Sequence, residues 1–191
     1  MKVLGVNGSA RKDGNTAILI RKVFEPLEAA GIECELVQLA HKRIHGCTAC
    51  RKCAEERIGN CVGVRDDANE IIAKMVEADG ILLGSPTYFA DLSAEMKALI
   101  DRGGYSALSN GGLLKRKVGA AVVAVRRGGG IHVFDSINHL FFISQMIVPG
   151  SSYWNLAYGR EPGEVEADEE GMRTMRVLGE NMAWLLEKLH A

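Results

Sequence analysis

Short apolar, β-leaning runs and amphipathic helical runs alternate along the whole of this 191-residue chain. Lys2 to Asn7 reads as a buried first strand ending in a Gly/Ser/Asn loop. Thr16 to Ala30 has apolar residues at helical spacing (Ala17, Ile18, Ile20, Val23, Phe24, Leu27), and Gly31 supplies the stop. Ile32 to Leu39 reads as the second strand, and His41 to Val64 as irregular. Asp67 to Glu77 reads as a helix with Ile71, Ile72, Met75 and Val76 inward. Gly80 to Gly84 is the third strand, and Leu92 to Arg102 a helix. Lys117 to Val125 is a strongly apolar fourth strand. A helix follows over about Val133 to Ser144, then a last strand at Met146 to Pro149. Asp168 to Leu189 is a charged helix with Met172, Met175, Leu178, Met182, Leu185 and Leu186 inward, the methionines as core filler. Gly103 to Gly112 reads as a surface loop.

Such alternation predicts one α/β domain over 1–191, a doubly wound, five-stranded parallel sheet with helices on both faces. The expected strand order is 2-1-3-4-5. Ligands of such sheets bind beyond the carboxyl ends of the strands, at the switch point beside strand one.

Composition excludes several partners. The net charge of −1 gives no basic field for nucleic acid. No apolar run reaches the ~20 residues that span a bilayer. The opening run Met1 to Val6 is too short for a signal peptide, so the reading is a cytoplasmic protein without a membrane partner. In that compartment five cysteines point to metal or redox chemistry rather than disulfides.

Three loops fall at the predicted carboxyl edge. The first, Asn7 to Thr16, joins a strand to a helix and is rich in small residues. Its backbone can close round an anion, with Ser9, Asn15 and Thr16 as side-chain donors and Arg11 or Lys12 as charge. As an ordinary turn it would use Asn15 or Thr16 only as a helix cap. It lacks the Gly-Lys-Ser/Thr of a Walker A loop. It also lacks G-x-G-x-x-G, and no acidic residue ends the second strand, so a mononucleotide phosphate fits better than a dinucleotide. The second loop, Gly84 to Ala90, carries Pro86, Thr87, Tyr88, Phe89 and Ala90. The third, Arg126 to Gly130, holds Gly128, Gly129 and Gly130, where a ring could approach the backbone closely. Together the loops suit a flat-ringed nucleotide.

Cys47, Cys50, Cys53 and Cys61 lie within fifteen residues of one another, in a Cys-rich loop at about 45–64. Three thiols at two-residue spacing can wrap an iron–sulfur cluster, and Cys61 can supply the fourth ligand. Structural zinc and reduced, metal-free thiols are the other readings. Cys34, in the second strand, reads as a buried hydrophobe. His41, His45, His132 and His139 show no metal-ligand spacing.

These residues resemble the NADPH-dependent FMN reductase superfamily of flavodoxin-like proteins, and within it the iron–sulfur flavoproteins. The resemblance rests on Gly8 to Lys12 with Asn15 and Thr16, and on Ser85 to Phe89 followed by Met96 to Ala98 and Ile100 to Arg102. It also rests on Gly119 through Gly130 and on the cysteine quartet. It implies an FMN phosphate held by Ser9, Arg11, Asn15 and Thr16. It implies a flavin ring against Pro86 to Ala90 and Gly128 to Gly130, with Arg126 in the same loop. It further implies a [4Fe–4S] cluster on Cys47, Cys50, Cys53 and Cys61, and a homodimer or homotetramer. The expected activity is an FMN-dependent oxidoreductase passing electrons to or from a redox partner such as ferredoxin or NAD(P)H. The flavin carries the chemistry, so no catalytic side chain is named. The alternatives are an FMN-only NAD(P)H-dependent quinone or flavin reductase, and a non-enzymatic flavodoxin-type carrier. Tyr153 and Trp154 read as packing residues or as reaching a flavin across an interface.

Overall fold

Every residue from Val118 to Val125 is buried. A strand buried along its whole length must be covered on both faces, and this one lies inside the sheet. The structure, a computed structural model, describes residues 1–191. In chain order the elements are β1 (Lys2–Asn7), α1 (Asn15–Ala29), β2 (Glu33–Gln38), α2 (Lys52–Glu56), α3 (Ala68–Glu77) and β3 (Gly80–Pro86). There follow α4 (Ala94–Ser109), β4 (Val118–Val125), α5 (Gly130–Ile143), β5 (Leu156–Tyr158), a 3-10 turn (Glu164–Ala167) and α6 (Glu169–Leu189).

The five strands are all parallel, in the order β2-β1-β3-β4-β5. Alternate side chains feed two cores, as the two-residue period of a strand requires. Leu4, Val6, Ile81, Leu83, Ala121 and Val123 pack with α3, α4 and α5. Val3, Leu82, Ala120 and Val122 pack with α1 and α6 on the other face. Met175 and Met182 are buried there as expected, while Met172 and Leu185 are only partly covered. No helix is long and apolar enough to cross a membrane.

Three expectations are corrected. The last strand is not Met146 to Pro149. Ile147 makes a single bridge to Val118, the chain then leaves the sheet, and only Leu156–Tyr158 pairs with Val123–Val125. Tyr153 and Trp154 therefore precede the last strand. Second, α4 runs to Ser109, so Gly103 to Ser109 is helix and not loop. Gly104 is there for close approach: a Cβ on it would stand 2.8 Å from Leu140 Cδ1 of α5. Third, the irregular 41–64 stretch contains α2, bracketed by left-handed Arg51 (φ 61°) and Arg57 (φ 51°). Cys34 is half-buried at the sheet edge. Burial, with Glu28 and Glu33 nearby, pushes its thiol up to about 12.

Candidate functional site

The parallel sheet brings the ends of β1, β3 and β4 side by side, and with them the three loops. The β1 loop is folded by its own polar side chains. Asn7, fully buried, donates from Nδ2 to Gln38 Oε1 (2.6 Å) and accepts the Ser9 N–H on Oδ1 (3.0 Å). Ser9 Oγ accepts the Arg11 N–H (3.1 Å), which leaves its own proton to donate. Gly14 precedes α1 with no side-chain cap, and the first turn carries no acidic residue. The first amides of α1 thus meet no competing carboxylate and have no intrahelical acceptor. Such a helix end attracts an anion. Thr16 is buried at this end.

Asn15 is engaged elsewhere. Its Nδ2 donates to Glu161 O (3.0 Å) and its Oδ1 accepts the Gly163 N–H (2.9 Å), so its side chain braces the turn before α6. Arg11 Nη1 donates to Arg160 O (2.9 Å) in the same turn. Glu164, held below the usual carboxylate range by the N–H groups of Glu161 and Arg160, closes it.

The β3 loop crosses to the β1 loop. Tyr88 Oη accepts the Ala10 N–H (3.0 Å), and Ala90 takes a left-handed conformation (φ 66°). Phe89 is fully exposed. Thr87 Oγ1 is buried with no partner, an unusual state for a hydroxyl. Beside it stands Gly129 of the third loop, at φ 85°, where a Cβ would lie 3.1 Å from Thr87 Cγ2. Gly129 also holds the N-cap position of α5 and offers it no side-chain cap, and the first turn again has no acidic residue. Asp91 and His132 tie the second loop to α5 (3.4 Å). Two uncapped helix ends, an orphaned hydroxyl and a side-chain-free approach therefore converge on one edge, and they fit a phosphorylated ring compound.

The cysteine loop lies beyond β2. Cys47 and Cys50 are exposed, Cys61 is half-buried and Cys53 is buried. Burial first, then neighbouring Cys61, pushes the Cys53 thiol up, while the Lys52 N–H and the Thr48 hydroxyl pull Cys50 down. The Ala49 N–H donates to Cys47 Sγ and Arg102 Nε to Cys61 Sγ, each at 3.4 Å. No three metal-ligating side chains gather closely enough to hold one ion. A tetrahedral zinc ion needs its thiolates about 4 Å apart, from Zn–S bonds of about 2.3 Å. A four-iron cluster takes one thiolate on each of its four irons, so its thiolates stand farther apart than those on a single ion. The donor set, four free thiols with an N–H aimed at the sulfurs of Cys47 and Cys61, has the chemistry that such a cluster would need.

The residue that sequence reasoning missed is Arg102. It lies on the face of α4 that buries Met96, Leu99 and Ser106, and a cation on such a face was the available signal. Its fork clamps both ends of the cysteine loop through Asp66, His45, Val64 and Asn69. Burial alone would raise the Asp66 carboxyl. The His45 N–H and the Arg102 guanidinium outweigh it and hold the group at about 2.

The family model described as NADPH-dependent FMN reductase matches residues 1–161. The chain belongs to the NADPH-dependent FMN reductase family. It is an FMN-binding flavoprotein oxidoreductase with a flavodoxin-like fold. An iron–sulfur flavoprotein of Methanocaldococcus jannaschii is 42% identical over 190 residues, 96% of each chain. One of Methanosarcina thermophila is 34% identical over 98% of this chain and 96% of its own. Among solved structures, RosB with a bound 8-demethyl-8-formylriboflavin-5'-phosphate superposes with a TM-score of 0.74 at 19% identity, covering all of this chain and 80% of its own. A WrbA-like protein from Agrobacterium tumefaciens gives 0.67 at 16%, over 98% and 97%.

Proposed function

We propose that this reductase-family protein is an iron–sulfur flavoprotein that exchanges electrons between FMN and a one-electron partner. The observation that carries the flavin site is the open amino end of α1 at the edge where the other two loops meet. Ser9 Oγ, the Arg11 charge, Thr16 and the first α1 amides, with the backbone of Asn15, would hold the phosphate. Pro86 to Ala90 and Arg126 to Gly130 would face the ring. Bound FMN supplies chemistry in both two-electron and one-electron steps. The protein's part is to bind and orient. The Thr87 hydroxyl, buried without a partner, would donate to or accept from the bound ring, and the α5 amino end with its backbone amides would favour negative charge there.

Cys47, Cys50, Cys53 and Cys61 would hold a [4Fe–4S] cluster, which supplies one-electron exchange. The relatives named iron–sulfur flavoprotein support this, as do the N–H donors on the thiol sulfurs. The reading includes a ferredoxin-like carrier or NAD(P)H as partner, a homodimer or homotetramer, one domain over 1–191, and a reducing, cytoplasmic setting suited to five free thiols. A second reading, an FMN-only NAD(P)H-dependent quinone or flavin reductase, is favoured by the exposure of Cys47 and Cys50, which are not drawn in with Cys53.

The test is the visible spectrum and the iron and FMN content of anaerobically purified protein, before and after dithionite. Flavin bands on a broad brown absorbance, both bleaching, with the brown component lost when the four cysteines are replaced by Ser, support the first reading. Flavin bands alone after iron-replete loading give the second. No FMN uptake on reconstitution overturns both.

A further inference from the structure

Arg102 is the largest fully buried side chain in the protein, 1% exposed. Burying a guanidinium is costly unless every donor is used. Here every donor is. Nη1 donates to both Asp66 oxygens (2.7 and 2.8 Å) and to His45 O (3.2 Å). Nη2 donates to Val64 O (3.0 Å) and Asn69 Oδ1 (3.2 Å). Nε is aimed at Cys61 Sγ (3.4 Å).

Five of these six contacts go to oxygens and would suffice for a clamp on the loop. The sixth has a different chemistry. A neutral thiol is a weak acceptor, whereas a thiolate is a strong one for a cationic donor. Asp66 binds Nη1 of the guanidinium and leaves Nε to the sulfur. The pair is therefore a dipole whose cationic end carries the N–H aimed at Cys61, and with both side chains buried its charges are screened less than a surface pair's. Hydrogen bonds to ligand sulfurs and nearby charge are two of the levers that set an iron–sulfur potential. A reduced centre carries one more negative charge than an oxidised one, so a cationic donor on its sulfur favours reduction. Asp66 partly offsets that effect.

We infer that Arg102 is a positioning residue that raises the reduction potential of a metal centre held through Cys61, with Asp66 set behind it as an opposing trim. This rests on the cluster reading above. The two residues therefore act on the potential with opposite signs, although both belong to one clamp.

The experiment is an EPR-monitored redox titration of the anaerobically reconstituted holoprotein, with dithionite as electron donor and mediator dyes. Arg102→Gln is expected to lower the reduced-to-oxidised ratio at a fixed applied potential at least tenfold, which is 59 mV for a one-electron couple. Asp66→Asn is expected to raise that ratio, because the guanidinium charge is no longer offset. Arg102→Lys keeps the charge, loses the Nε–H and falls between wild type and Arg102→Gln. A merely structural clamp would loosen in both neutral variants and move them the same way, or move neither; either result overturns the inference. Should the variants fail to fold, wild-type protein labelled with ¹⁵N-arginine gives the answer by pulsed EPR. A ¹⁵N coupling to the reduced centre supports the inference, and its absence overturns it. Wild-type protein that takes up no iron under these conditions overturns the cluster reading itself, a result distinct from an unmoved potential.

Discussion

Asp66→Asn tests the buried clamp through pH. The Asp66 carboxyl stands at about 2 in the folded protein against an ordinary 3.8. That depression, nearly two units at 1.36 kcal/mol each, is worth about 2 kcal/mol of folding stability. The carboxyl is 4% exposed, so solvent screening removes little of it. The sign follows from the direction. A carboxylate whose folded value is depressed contributes fully above its unfolded value, near 4, and loses the contribution as pH falls toward 2. Asn cannot carry the charge at any pH and leaves Arg102 uncompensated, so the variant should be about 3–5 kcal/mol less stable near neutrality. The assay is urea unfolding followed by far-UV circular dichroism at intervals from about pH 6 down to about pH 2.5, for wild type and variant. The stability gap should be constant above about pH 5 and shrink by about 2 kcal/mol toward the acid end. A gap that stays constant throughout would refute the assignment of the depressed carboxyl to Asp66.

Other outcomes follow from the loops. Gly129→Ala forces a side chain into left-handed backbone and against Thr87, at a cost of about 1–2 kcal/mol. FMN affinity, read by quenching of flavin fluorescence, should fall about tenfold; an unchanged affinity would remove this loop from the site. Ser93 caps α4 by accepting the Met96 N–H at 3.3 Å. Ser93→Ala should lower unfolding stability by about 1 kcal/mol, and no loss in the urea midpoint would count against the cap.

Much of this was legible in the sequence because it is local. β1 falls where its apolar run lies, and the strand order follows from the alternation of strands and helices. That the three loops share one edge follows from that order, since parallel strands must deliver their carboxyl ends to one side. What escaped is set by distant partners. β5 is three residues long, Leu-Ala-Tyr, with no pattern of its own, and is a strand only because β4 offers it an edge. Gly103 and Gly104 look like a helix stop, yet α4 continues through them, with α5 packed over the bare backbone of Gly104 and α3 beside Gly103. The side chain of Asn15 looked like a phosphate donor and is used on a turn 146 residues away in sequence. The Arg102–Asp66 pair spans 36 residues, a separation at which no spacing rule operates.

The central claim is that the amino end of α1 holds the phosphate of a mononucleotide. It is tested most directly by titrating flavin-free protein with FMN and, separately, with riboflavin, which differs only in lacking the phosphate. Two or more charge-assisted hydrogen bonds at about 1.5 kcal/mol or more each predict FMN binding at least ~100-fold tighter than riboflavin. That preference should diminish when Ser9 and Thr16 are both replaced by Ala. Equal affinities for FMN and riboflavin would contradict the account.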